Sequence, residues 1–593
     1  MERFIAPSFW SDLTEAIAGL RDVLDDQDGM YLEAGRKEYS IDNTSNPINE
    51  MQPSSDSHTV LFSASISADP VILQRPALNM RTRLLDTYRE RVDPVYKLLH
   101  WPTVYSLYTA DDATTALSPG EQALEFAIYF TALCTLSDPE VSHREAMLEK
   151  YKLSTEAALS RAKLLISKDT TVLQALVTYL LGLRTCQNNA SAWSLLALAV
   201  RLATAQGLDT PFAQTHGTLY QQETKRRLWC CIGLMDVKCS LDRGTPPLLA
   251  ASHFHLPRNI NDDEINARQL ASWSGDAAPA DEIRRWTDMT FPRMNFRAMV
   301  LFRQLAAPEL SWIERSRLLS SFEEQIQSVA HLTPVSQSAF QNYALACLDG
   351  IVLSMQLLLR RPVLKTEIGP PPVDDKFDVL DTATRVLQRS SAKHMVPEFE
   401  QWSWYAWVPW FALAIVLAEI CGRPAILASS SDRAEAEKIE HSWAVAKMAY
   451  EQYSQTVADG DSGLLWAPIV RLMTKAREIQ DIRSKNKMTQ SQPVSQGNGT
   501  IPWTERPDVQ FRMGDSNGTH TVASSAWSGI LAPQKPLCPF AVSLDGPHDE
   551  DMAFDEDLRK TANGGFSTNA EAMSWFNWEA FVEDIAMRSE IDV

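Results

Sequence analysis

From about Arg81 to Ser484 the apolar positions recur at helical spacing almost without interruption, and no run alternates at period two for long enough to suggest a sheet. Leu173, Leu176, Val177, Leu180 and Leu181 repeat at three- and four-residue intervals and predict one helix. Ser191 is placed to cap the next, which is apolar nearly all round and stops at Gly207, the position where glycine ends a helix. Thr218 and Gln221 spell a capping box. The helix it opens is expected to bury Leu228, Cys231, Ile232, Met235 and Cys239. In its first turns Glu223 precedes Arg227 by four residues, a pair worth about 0.2–0.5 kcal/mol. An all-apolar helix flanked by amphipathic ones needs other helices to cover it. The expected fold is therefore all-α and multi-layered.

The same pattern divides the chain. Leu13, Ile17, Leu20 and Leu24 share one face of a short amphipathic helix over residues 9–26, with Ser11 as its N-cap, inside a segment 1–37. Residues 38–80 are rich in Ser, Asn, Asp and Pro and read as a linker. Residues 81–486 hold the large helical domain, and 487–540, dominated by Gln, Ser, Asn, Gly, Pro and Thr, form a second linker without periodicity. The longest apolar run, Trp404 to Ala418, contains Pro409 and falls short of the ~20 residues a spanning helix needs, so it predicts a buried core helix and no membrane partner. The start, Met1-Glu2-Arg3-Phe4-Ile5, lacks the apolar core of a secretory signal.

Charge changes the picture at one end. The net charge is −20, which argues against a surface broadly suited to DNA phosphates. Residues 541–593 hold 13 acids and 3 bases, half of the net charge. There Phe566, Trp575, Phe576, Trp578 and Phe581 are interleaved with Glu571, Glu579, Glu583 and Asp584, the acidic-aromatic composition of activation segments. Acid repulsion keeps such aromatics available for a partner's apolar groove. The other reading is a C-terminal helix docked on the core.

Candidate chemistry is sparse. Nucleotide-loop, nucleophile-elbow and zinc-protease signatures are missing, so no catalytic residue and no cofactor-binding residue is assigned. The eight cysteines are Cys134, Cys186, Cys230, Cys231, Cys239, Cys347, Cys421 and Cys538. They are scattered, no Cys-x2-Cys pair occurs, and residues 1–133 contain none, so buried reduced thiols are expected. His253 and His255 lie near Asp262 and Asp263 in a Pro-bounded loop without a helical frame, so no metal site is assigned to them. Asp236 stands in a mostly apolar helix and is expected to cap or to pair with a nearby arginine, such as Arg226, Arg227 or Arg243, rather than to act catalytically. Lys225, Arg226 and Arg227 read as intradomain ion pairing. Arg471, Lys475, Arg477, Arg483, Lys485 and Lys487 read either as a nuclear localisation signal or as a solvated helix face. Neither basic group looks like a recognition helix.

The stretch Trp193–Ile265 resembles the middle homology region of fungal zinc-cluster transcription factors. The resemblance is carried by the run Ala199–Leu208 with Gly207, by Glu223, Arg226, Arg227 and Trp229, by Asp236, by Arg243-Gly244-Thr245-Pro246, and by Leu256–Asp263 with Pro257 and Asp263. Leu84–Pro94, Leu99–Thr103, Leu358–Pro362 and Trp402–Pro424 extend it to roughly residues 80–480. Departures are Trp229-Cys230 where the family often has Trp-Trp, Thr245 within the Arg243–Pro246 turn where it often has Gly-Arg-Pro, and Leu208-Asp209 where it often has Leu-His. The resemblance implies a nuclear transcription regulator of a metabolic or biosynthetic pathway. It implies a helical regulatory domain, a capacity to dimerise, and a tail in which Trp575, Phe576, Trp578 and Phe581 engage coactivator or transcription machinery. In the family zinc sits in an N-terminal six-cysteine cluster that contacts DNA. That cluster is not in this sequence, and Phe9–Arg21 resembles the segment that follows it. DNA contact is thus expected only through an upstream cluster or a partner, with no cofactor in this chain. The alternatives are a cluster-less, non-DNA-binding cofactor of a related regulator, or an all-helical enzyme on the same scaffold.

Overall fold

The computed structural model describes residues 72–490, apart from 111–115, 187–188, 250–253, 266–284, 308, 333–337, 361–371, 373–374, 406–408, 424–431 and 458–462. The expected amphipathic helix at 9–26 and the acidic-aromatic segment 541–593, with Trp575, Phe576, Trp578 and Phe581, lie outside the described residues. Among those described, every regular element is a helix.

The first half runs α1 Leu78–Arg91, α2 Asp93–Tyr96, α3 Trp101–Thr109, α4 Pro119–Cys134, α5 Arg144–Arg161, α6 Thr170–Thr185, α7 Asn189–Ala205, α8 Pro211–Thr215 and α9 Leu219–Arg243. The second runs α10 Thr290–Leu305, α11 Trp312–His331, α12 Ala339–Arg360, α13 Val379–Met395, α14 Trp410–Gly422, α15 Asp432–Val457 and α16 Gly463–Gln490. The first of these helices begins at Leu78 and the last ends at Gln490.

Local chemistry sets the boundaries. Ser118 and Glu121 cap α4 reciprocally, Thr218 and Gln221 do so for α9, and Ser311 and Glu314 for α11. The Asp169 side chain accepts from Thr171 N at the start of α6. Gly207, at φ 72, ends α7. Leu208 N donates to Ala203 O and Gly207 N to Thr204 O, the paired bonds of a Schellman close. Gly244, at φ 64, closes α9 in the same way through Thr245 N to Ser240 O and Gly244 N to Leu241 O.

Two expectations about α7 fail. Ser191 does not cap it, because the helix already begins at Asn189. Nor is it covered all round: Ser194, Ala197, Arg201 and Thr204 are exposed, while Ala192, Leu195, Leu196, Ala199 and Ala203 are buried. Alanine serves either environment, so an alanine-rich run does not report its exposed face. Among the described residues, long stretches buried on every side include Ala123–Cys134 of α4, Arg226–Val237 of α9 and Trp410–Ala418 of α14. Pro409 stands at the N-cap of α14, where its missing N–H costs nothing. The apolar run that begins at Trp404 is thereby divided, and its second part is the expected core helix.

The layers follow from these faces. α4 packs against α1, α5 and α6; α6 against α7 and α9; α9 against α10; and α12 against α11 and α13, which in turn meets α14 and α15. By length and composition α12 could cross a membrane. Here its Tyr343, Cys347, Leu348 and Leu357 are buried by neighbouring helices instead.

Candidate functional site

Helix α9 carries most of the signature residues, and its charged side chains point inward rather than into a cleft. Arg227 is 1% exposed. Its Nη1 lies 2.7 Å from Asp262 Oδ1 and donates to Leu99 O at 3.3 Å. Lys97, held in a left-handed conformation (φ 46) at the end of α2, places Nζ 2.6 Å from Asp93 Oδ2 and 2.8 Å from Asp262 Oδ2. Trp101 N donates to the same Asp262 Oδ2 at 2.8 Å. One carboxylate therefore joins α2, the start of α3, α9 and the 3-10 turn Asp262–Ile265. Burial would push the Asp262 carboxyl up, but Arg227 and Lys97 outweigh it and hold it well below the ordinary carboxylate range. Asp93, which shares Lys97, behaves oppositely. Burial dominates and pushes its carboxyl up to about 6 despite Lys97.

Glu223 opens the network toward the following loop. It is 1% exposed; Oε2 accepts from Arg258 N at 3.0 Å and Oε1 lies 3.4 Å from Arg226 Nη1. The expected Glu223–Arg227 pair is thus replaced by Glu223–Arg226, because Arg227 is turned toward Asp262. Pro257 is buried, and its carbonyl accepts from Arg293 on α10.

Asp236 forms a second clamp. Its Oδ1 accepts from Leu248 N at 2.8 Å, and Oδ2 from Leu249 N at 2.9 Å and Arg303 Nη2 at 2.7 Å. Arg303 Nε reaches back to Leu249 O at 2.8 Å. Asp236 thus caps two backbone amides and pairs with an arginine, but that arginine comes from α10, 67 residues on, rather than from the nearby Arg226, Arg227 or Arg243. Arg303 also lies over Phe254, which stacks on buried Trp229 at 5.5 Å. Gly233 makes room for that stack, since a Cβ there would stand 2.4 Å from Phe254 Cε1. At the end of α9, Arg184 holds Asp242 through two bonds of 2.7 and 3.1 Å.

Of the other signature residues Gly244 is buried, and the rest are partly covered or exposed. Arg243 is half-buried on the last turn of α9, and Pro246 is half-buried with its carbonyl accepting from Ser240 Oγ at 3.1 Å. Asp263 is exposed; the buried acid of that turn is its neighbour Asp262. Sequence reading did not single out Lys97, Asp93, Asp262, Arg293 or Arg303 as partners. The only signal for them is a charged residue amid apolar neighbours, which names no partner.

Cation chemistry finds no frame here. Among the described residues no group of three or more His, Cys, Asp or Glu could hold a metal. The described cysteines sit singly or in pairs within helices or, for Cys186, at a helix C-cap, most of them buried, and do not fit a six-cysteine zinc cluster. His253 lies outside the described residues, and the carbonyl of His255 accepts from the Cys230 thiol at 3.7 Å. The recess lined by His100, Tyr220, Glu223 and Arg227 has no room for a water molecule, against the ~300–1,000 Å³ of small-molecule sites. In the basic set on α16, Arg483 donates to Ile420 O and Arg423 O at 3.3 and 2.9 Å, and Arg477 lies over Tyr450. Part of that set therefore packs the domain.

These inward-turned charges lock helices and loops to one another, so the signature defines a helical scaffold domain. Residues 85–302 match the family described as fungal specific transcription factor domain. The match ends at α10, one residue short of Arg303, and takes in Arg227, Asp236, Asp262 and their loops. Among similar proteins, the C6 finger domain transcription factor adaR of Aspergillus niger is 27% identical over 79% of this chain and 62% of its own length. The C6 finger domain transcription factor nscR of Aspergillus fumigatus is 25% identical over 88% of this chain and 70% of its own. Transcription factor vrtR2 of Penicillium aethiopicum is 27% identical over 80% and 59%. The chain thus spans about three-fifths of the length of adaR.

Proposed function

We propose that the protein is a nuclear transcription regulator of a metabolic or biosynthetic pathway, not an enzyme. The domain at 85–302 carries this reading, together with relatives named as transcription factors along most of the chain. In it the helical domain is a rigid regulatory body, and residues 541–593 are the activating segment. Trp575, Phe576, Trp578 and Phe581 there enter the apolar groove of a coactivator or of the transcription machinery. Two of the relatives are named for a C6 finger, whereas the cysteines here do not suit one. DNA contact in this reading comes from a cluster or partner outside these residues.

The test fuses the chain to a heterologous DNA-binding domain with a matching reporter in a fungal host. Activation is expected, with most of it lost when residues 541–593 are removed or when Trp575, Phe576 and Trp578 are changed together to Ala. A nuclear, well-expressed fusion that leaves the reporter silent would overturn the activator reading. Activation untouched by the triple substitution would remove the tail from it.

A further inference from the structure

Two of the cysteines are not isolated. Cys134 is the last residue of α4 and Cys186 the C-cap residue of α6, and their Sγ atoms are 2.6 Å apart. The surrounding packing brings these helix ends together. Thr131 Oγ1 donates to Thr178 O at 2.8 Å, and Gly182 faces Phe130 so closely that a Cβ there would lie 2.7 Å from the ring. Four residues further along each helix from that contact stand the two thiols. Cys134 is buried, whereas Cys186 is partly open to solvent. Arg144, at the start of α5, and Lys152 are the cations whose fields reach Cys186. The other described cysteines have no such partner: the thiols of Cys230, Cys231 and Cys421 donate to backbone carbonyls.

We propose that Cys134 and Cys186 form a reversible, peroxide-driven disulfide that fastens the C-terminal ends of α4 and α6. The division of labour follows from environment. Burial pushes the Cys134 thiol well up, so it stays protonated. The hydrogen bond with Cys134, assisted by Arg144 and Lys152, lowers the Cys186 thiol against its own burial, so Cys186 is the one of the two that ionises more readily and supplies the attacking thiolate. Its sulfur attacks one oxygen of hydrogen peroxide. An S–O bond forms, the O–O bond breaks, and the departing hydroxide takes a proton to leave as water. Cys134 Sγ then displaces the hydroxyl from the Cys186 sulfenic acid. The S–S bond forms, the S–O bond breaks, and the thiol proton leaves with that hydroxyl as a second water. Two thiols are oxidised by two electrons and one peroxide is reduced to two waters. A dithiol reductant reverses the exchange.

The experiment uses the purified full chain, treated with hydrogen peroxide, blocked with an alkylating agent and digested with trypsin. Cys134 and Cys186 fall in peptides 98–144 and 185–201, each with no other cysteine. The expected product is those two peptides joined, two hydrogens lighter than their sum and separated again by dithiothreitol. Before oxidation, alkylation of Cys186 is expected on the order of tenfold faster than that of Cys347, as a thiolate is the reacting form. Cys134→Ser should leave Cys186 as a sulfenic acid that a cyclic 1,3-diketone labels, and Cys186→Ser should leave Cys134 unoxidised. Circular dichroism shows whether each variant is folded; Cys134→Ala replaces any that is not. The proposal is overturned if the wild-type chain yields no joined 98–144 and 185–201 peptides. It also falls if Cys186 is joined instead to another cysteine.

Discussion

Replacing Asp236 by Asn tests whether the signature acid holds the domain together. The carboxylate is 1% exposed and accepts three bonds, from Leu248 N, Leu249 N and Arg303 Nη2. The amide keeps the shape but removes the charge that faces Arg303, whose side chain is 6% exposed. Leaving such a cation buried without its anion costs about 3–5 kcal/mol. Against a total stability of about 5–15 kcal/mol, that is a large fraction. Arg303→Met alone leaves the opposite charge stranded and should be comparably damaging. The double variant Asp236→Asn, Arg303→Met strands neither, so it should be less damaged than the two single losses together, with a coupling of about 1–3 kcal/mol. The assay is guanidinium unfolding of the purified chain at pH 7, followed by tryptophan fluorescence, which the Trp229–Phe254 stack beside Arg303 should report. A loss below about 1 kcal/mol for Asp236→Asn would refute the reasoning. Single losses that add to within about 0.5 kcal/mol in the double variant would do so as well.

Asp93 gives a pH signature. Its carboxyl is pushed up to about 6 in the folded chain, so the folded state binds this proton more tightly than the unfolded chain does. Lowering the pH from 7 to 5 should therefore stabilise the wild type through this group by about 1 kcal/mol. Asp93→Asn should lack that increment, and the difference between the two proteins, measured at both pH values, should show it; a difference of opposite sign contradicts the assignment. Gly233→Ala would push a methyl group into Phe254, with an overpacking penalty of about 1–3 kcal/mol. Adding Phe254→Leu should recover part of the lost thermal stability, and no recovery would show that the ring is not the obstacle.

Much of the helical architecture was legible because its determinants are local. The box Thr218–Gln221, the glycine after α7 and the 3/4 spacing in α6 each involve residues within one or two turns. Caps and periodicity act over that distance, so a single sequence displays them. The signature stretch was legible as a family resemblance in the same way, as a string of neighbours.

Partner choice was not legible. Glu223 and Arg227 have ideal helical spacing, yet Arg227 is taken by Asp262, 35 residues away, and Glu223 by Arg226 and the Arg258 amide. Asp236 finds its cation on α10 rather than on its own helix. The four-residue pair offers only a few tenths of a kcal/mol at a surface, whereas a buried charge must be matched wherever the packing puts its counterion. Cys134 and Cys186 likewise meet only because Gly182 lets α6 approach Phe130. The sequence by itself determined that this chain builds helices, where several of them stop, and that Asp236 and the Lys225–Arg227 group would need partners. Only the tertiary structure decided which partners those are, because desolvated charges and thiols interact through space over a few ångströms while sequence order constrains contacts only within a turn or two.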